Sequence, residues 1–190
     1  SYSGDDSYEW FGGTVNCKNL VAYRGWDDDF DSDFGYSGKL QFLLSVRDPE
    51  IADQSQSNGF ESDNDGSGSL NTPRTSPTWW NVTLIGPKAN SSTTINSLYR
   101  RGMHLRRSSL NKVSNALIMG WPRGIVVDGT NTVQAAIDGN MWVNNSIVSG
   151  WTSAAIDTAN AGNLNFTPTT WFTNSSGRTY ANNSDVLLTD

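Results

Sequence analysis

The carboxylates gather in three short runs: Asp5, Asp6 and Glu9, then Asp27, Asp28, Asp29, Asp31 and Asp33, then Glu61, Asp63 and Asp65. Carboxylates at this density support two kinds of chemistry. Several hard oxygen ligands around one point hold a divalent cation, with Ca²⁺ the natural choice. Two acids at a fixed separation run glycoside hydrolysis, because crowding raises the pKa of one of them. The metal candidates are Asp29, Asp31, Asp33, Glu61 and Asp63. The catalytic candidates are Asp31, Asp33, Glu61 and Asp63, with Arg106 as the base if the reaction is a lyase elimination on an acidic sugar. Asp29-x-Asp31-x-Asp33 opens like an EF-hand loop, but Phe34 stands where that loop needs glycine and Leu40 where it needs a bidentate glutamate. Any cation site must therefore be assembled across the fold. The competing reading is a solvated acidic face screened by salt.

What brings these groups together is an internal repeat. Five segments share a short strand-like piece, a turn and a second apolar strand. They open at Tyr8, Phe30, Phe60, Met103 and Ile125, and their second strands start at Asn19, Phe42, Asn81, Asn115 and Asn145. The basic period is 22 residues, as from Tyr8 to Phe30 and from Met103 to Ile125, with loops near 49–58, 66–77, 88–99 and 129–140 widening the rest. So short a unit cannot bury its own apolar face, so copies must stack. The expected fold is all-β, a right-handed parallel β-helix of about five coils over residues 1–151. Residues 152–190 lose the pattern and read as an irregular closing segment or cap, with the chain continuing beyond. A jelly roll with a fortuitous repeat is the alternative; a leucine-rich repeat lacks its LxxLxLxxN signature.

Alternation along each first strand assigns faces. Tyr8, Phe30, Phe60, Met103 and Ile125 point inward, as do Trp10, Ser32, Ser62, Leu105 and Val127. Outward columns are then Glu9, Asp31, Glu61, His104 and Val126, beside Phe11, Asp33, Asp63, Arg106 and Asp128. Stacked strands lie about 4.8 Å apart, so the acids repel unless a cation, a retained proton or an arginine compensates. The plain reading of Arg106 is a pair with Asp63 across the ladder. Trp26, Trp121 and Trp151 each follow the turn that ends a second strand, and Trp80 points out where Trp79 points in. These four are the candidate platforms for sugar rings, against corner packing as the alternative.

Composition narrows the partners. Eight Trp, seven Phe and six Tyr exclude a disordered chain, and abundant Gly, Asn, Ser and Thr suit turn-rich β structure. A net charge of −6 and a pI of about 4.6 lack the basic field that nucleic acid requires. No apolar run is long enough for a transmembrane helix. One cysteine and one histidine exclude an internal disulfide, zinc fingers and HExxH sites; Cys17 reads as a structural thiol. No GxSxG, GxGxxG or P-loop motif occurs.

The run Asp5-Asp-Ser-Tyr-Glu-Trp-Phe-Gly-Gly-Thr-Val-Asn16 with Leu20-Val-Ala-Tyr23 resembles the repeat-bearing part of large secreted proteins of Bacteroidota. So does Asp28-Asp-Phe-Asp-Ser-Asp-Phe-Gly-Tyr-Ser-Gly-Lys-Leu-Gln-Phe42, and in style Asn58–Asp65, Trp171-Phe172 and Leu187-Leu-Thr-Asp190. The resemblance implies a right-handed parallel β-helix, export by the type IX secretion system and a secreted or cell-surface location. It transfers no activity. The expected function is a non-catalytic solenoid that binds a polysaccharide or surface glycan, or mediates adhesion, with Ca²⁺ at the acidic strip. The alternatives are a polysaccharide lyase or glycoside hydrolase, and a structural surface-layer or filament protein. Self-association through the end coils is a further expectation.

Overall fold

The computed structural model describes residues 2–188; Thr189 and Asp190, the end of the closing motif, lie outside the described residues. Two parallel sheets run the length of the molecule. The first stacks β1 (Glu9–Phe11), β3 (Phe30–Asp33), β5 (Phe60–Ser62), β7 (Arg101–Leu105), β9 (Arg123–Asp128) and β12 (Ala154–Ala159) in that order. The second stacks β2 (Cys17–Tyr23), β4 (Lys39–Val46), β6 (Thr78–Ile85), β8 (Lys112–Met119), β11 (Ile147–Ser149) and β13 (Arg178–Tyr180), with β10 (Trp142–Asn144) against the first half of β8. Each rung crosses from one sheet to the other and back, which makes a right-handed parallel β-helix.

Alternation places the inward columns where the sequence puts them. Phe30, Phe60, Met103 and Ile125 are register partners and fully buried. Beside them Ser32 and Ser62 share a buried hydroxyl contact of 2.8 Å, so this polar column satisfies itself inside the core.

The second-sheet strands are longer than expected, and each bends in the middle. Asn19, Phe42, Asn81, Asn115 and Asn145 all adopt left-handed backbone, with φ of 58°, 60°, 55°, 58° and 49°. Asparagine tolerates that region better than most L-residues, which explains why four of the five corner positions are Asn. Asn115 Nδ2 also donates to Asn81 Oδ1 at 3.3 Å, linking two corners along the stack.

Two stretches differ from expectation. The loop expected at 129–140 contains a helix, α1 (Thr130–Ile137), whose Val133, Ala135 and Ala136 are buried. The closing segment from residue 152 holds regular structure: β12 and β13 extend the two sheets by a sixth rung, with helix α2 (Pro168–Asn174) between them. Phe172 of α2 is fully buried in the common core. The repeat fades there because β12 carries the small residues Ala154, Ala155 and Ala159 in place of large apolar ones.

Candidate functional site

The outward face of the first sheet carries a charge gradient along the solenoid axis. Glu9, Asp31, Glu61, His104 and Val126 are successive register partners. Just ahead of the strands come Asp6, Asp28 and Asn58 on the first three rungs, and β7 and β9 open on the register partners Arg101 and Arg123. The first three rungs are acidic, and the next two bring Arg101, Arg106 and Arg123 with Asp128 among them.

In the acidic half, Asp31 is the focus. Its Oδ1 is buried and has no hydrogen-bond partner among the described residues. Burial pushes its carboxyl up to about 9, and the charges of Asp6, Glu61, Asp63 and Glu9 add to the shift. Burial likewise raises Asp6 to about 7, although its Oδ1 accepts the Asp28 backbone N–H at 2.8 Å. Asp28 is more deeply enclosed and is also raised, by burial first and then by Glu61, Asp27 and Asp6. One oxygen from each of Asp6, Glu9 and Asp31 lies within 4.8 Å of the others, and Asp5, Asp6 and Asp27 form a second such group. These clusters can hold a metal ion. The donors are all hard oxygens, and Asp31 supplies an orphaned one, which fits a calcium-type cation.

Other carboxylates on this face are already neutralised. Arg106 donates through Nε to Asp63 Oδ1 at 2.7 Å and through Nη2 to both Asp63 Oδ2 and Glu61 Oε1; Arg107 reaches Asp63 Oδ2 at 2.6 Å. The buried His104 ring bridges Glu61 Oε2 at 3.4 Å and Asp128 Oδ2 at 3.0 Å. Burial opposes ionisation of Glu61, but His104, Arg106 and Arg107 outweigh it and hold its carboxyl below the usual range. Asp128 is held at about 2, first by the His104 hydrogen bond and then by Asn160 against the effect of burial.

Arg101 is the positive counterpart of Asp31. Its Nε is buried without a partner among the described residues, and burial lowers its pKa, with Arg123 and Arg106 reinforcing the shift against Asp128 and Glu61. It lines a cavity of about 380 Å³ together with Arg100 and Arg123. A half-buried guanidinium with no anion of its own is a receptor for one.

Of the residues singled out in the sequence, Asp31, Glu61, Asp63 and Arg106 do meet on one face, and Asp33 borders them, its Oδ1 accepting the Phe34 backbone N–H at 2.7 Å. Asp29 does not join this set. It precedes its strand, turns into the core with zero exposure and pairs with Arg47 Nη1 at 2.9 Å. Arg106 is bound to two carboxylates, and these raise its pKa against the effect of burial, which disfavours it as a base. Trp121 is 1% exposed, so it packs and offers no platform. Its ring fills space left by glycines, since a Cβ on Gly102 would stand 3.2 Å from its Cδ1. Trp26 is half exposed, and Trp80 and Trp151 are partly exposed. Asp6, Asp28 and Arg101 were missing from the candidate set. Asp6 and Asp28 lie in turns ahead of their strands, where alternation gives no direction, and Arg101 is the first residue of β7.

Among the described residues, no helix is long and apolar enough to cross a membrane. The family described as the pectate-lyase-like beta helix domain matches residues 1–186. No curated protein and no solved structure matches the chain. With its parallel rungs and its charged outer face on the first sheet, the chain belongs to the pectate-lyase-like β-helix domain family.

Proposed function

We propose that the outer face of the first sheet binds an acidic polysaccharide through a divalent cation, outside the cell or at its surface. Asp6, Glu9 and Asp31 hold Ca²⁺, which neutralises them and offers its remaining positions to sugar carboxylates. Arg101 and Arg123 take a further carboxylate of the same chain by charge-assisted hydrogen bonds. The observation that carries this reading is the buried, unpartnered Oδ1 of Asp31 amid Asp6, Glu9 and Glu61. The family description points to the same class of ligand, a uronate polymer. Calcium titration by calorimetry, followed by retention on immobilised polygalacturonate with calcium or chelator, tests it. Calcium-independent retention would sink the cation's role.

A second reading, cleavage by β-elimination, is favoured by Arg101. With no carboxylate among the described residues paired to it and its pKa lowered, Arg101 gives up its own proton more readily than Arg106, and its neutral guanidine form would then take the proton from the carbon next to a uronate carboxylate. The electron pair left behind forms the ring double bond as the glycosidic C–O bond breaks, and the departing oxygen picks up a proton. The bound cation would supply electrophilic stabilisation of the sugar carboxylate. The ultraviolet absorbance of an unsaturated product distinguishes cleavage from binding alone.

A further inference from the structure

Where the second sheet hands the chain on to the first, the corner holds a cavity outside the charged face. Three segments wall it: the loop 88–91 after β6, the turn Gly150-Trp151-Thr152 after β11, and the turn 181–184 after β13. Its volume of about 340 Å³ lies in the range of small-ligand sites.

The walls are fixed by hydrogen bonds that the lining residues make to one another and to their neighbours. Asn183 Nδ2 donates to the Lys88 and Ala89 carbonyls at 2.9 Å each, while its Oδ1 accepts from Ser149 Oγ at 3.0 Å. Gly150 makes this fit possible: its φ is +65°, and a Cβ there would collide with the Asn183 side chain. The loop is set by Asn90 Oδ1, which accepts from the Ser92 backbone N–H at 3.0 Å and from Ser92 Oγ at 2.7 Å. Lys88 Nζ turns to the carbonyls of Ser91 and Thr93 at 3.3 and 3.5 Å.

Once those contacts are made, the lining residues whose polar or aromatic groups remain for a ligand are Trp151, part-buried against the core, Asn90, Ser91, Thr152 and Ser184. It includes no carboxylate. A flat aromatic ring ringed by neutral donors and acceptors matches a pyranose, whose C–H face stacks on indole while its hydroxyls exchange hydrogen bonds at the rim. An anion would find only Lys88, already engaged, and a bare cation would find no charged ligand.

We propose that this corner is a binding site for a neutral sugar residue, distinct from the charged face and independent of its cation. Trp151 is the stacking platform, and Thr152, Ser184, Ser91 and Asn90 supply the rim. Trp151 lies three residues before Ala154, the register partner of Arg123, so a neutral branch on an acidic chain held at the arginines falls within its reach.

The test uses tetrasaccharides of β-1,4-linked galactose, xylose and mannose, added in chelator to ¹⁵N-labelled protein. The Trp151 indole N–H signal, assigned by its loss in Trp151→Phe, is expected to move saturably with a millimolar Kd for at least one probe. The double variant Thr152→Val, Ser184→Ala, whose side chains are exposed, should bind that probe about three- to tenfold more weakly with an unchanged melting temperature. An indole signal unmoved by every neutral probe at about 10 mM, well above a millimolar Kd, would overturn the proposal. So would equal binding by the double variant. Oligogalacturonate with calcium forms a separate arm, and its failure would count against the charged face alone.

Discussion

Asp31 and Glu61 are register partners on neighbouring rungs, and their carboxyls sit in opposite states. Arg106 and His104 reach Glu61 and keep it ionised despite burial. Asp31 has no such partner, and burial with the charges of Asp6 and Glu61 pushes it up to about 9. The repulsion expected of a carboxylate ladder is thus relieved by arginine and histidine on one rung and left unrelieved on the next. A cation at Asp31 would complete the pattern.

The first consequence is a pH dependence. Folded Asp6 and Asp31 hold protons more tightly than unfolded aspartates, with values of about 7 and about 9. Their contribution to stability is complete below the ordinary aspartate value and is lost as pH rises through those two values. Melts in chelator should show a falling Tm between about pH 5 and 9, and calcium should flatten the fall by making ionised carboxylates favourable. A Tm that rises across this window in chelator would contradict the assignment.

The two arginines of the face should separate cleanly. Arg101→Gln removes an unpaired charge, so the fold should be kept within about 0.5 kcal/mol, or gain slightly, while polygalacturonate binding drops about tenfold. Arg106→Gln removes one charged partner each from Glu61 and Asp63, leaving them His104 and Arg107, and should cost about 1–3 kcal/mol by urea denaturation. Equal stability of the two variants would refute this division of labour.

Inside the solenoid, Arg47 and Asp29 form an ion pair with both side chains fully buried. Arg47→Met leaves Asp29 in the core with the Ser45 hydroxyl but no counter-charge and should cost about 3–5 kcal/mol, whereas adding Asp29→Leu should recover most of it. Urea midpoints of the single and double variants decide the matter; a double variant as unstable as the single would show that the pair contributes more than mutual neutralisation.

The corner asparagines predict a smaller effect. Asn115 holds φ at 58°, so Asn115→Ala should cost about 1–2 kcal/mol and Asn115→Gly clearly less. If alanine were tolerated as well as glycine, left-handed strain would not be what selects Asn at this corner.

What could be read in the sequence followed from periodicity. The column Glu9, Asp31, Glu61, His104, Val126 appears in the register as alternation and the 22-residue spacing place it, because inside a strand a side chain has only two directions. Turns obey no such rule. Of the acids gathered in the turns, Asp29, one residue before β3, goes into the core to meet Arg47, while Asp6 and Asp28 come to the face, and nothing in the spacing separates the two outcomes. Trp26 and Trp121 hold the same place after a second strand, yet only Trp121 is swallowed, because glycines on neighbouring segments vacate room for it. The sixth rung was hidden by its alanines, and α1 by lying within a segment that otherwise looked like an insertion.

The central claim is that Asp31 anchors a cation that joins this face to an acidic polysaccharide. Affinity electrophoresis through polygalacturonate, with calcium or chelator, on the native chain and Asp31→Asn tests it most directly. At neutral pH the amide mimics the protonated acid, so the variant should fold normally. Strong retardation of the native chain is expected in calcium, and none in chelator or for Asp31→Asn under either condition. Retardation of Asp31→Asn in calcium equal to that of the native chain would contradict it.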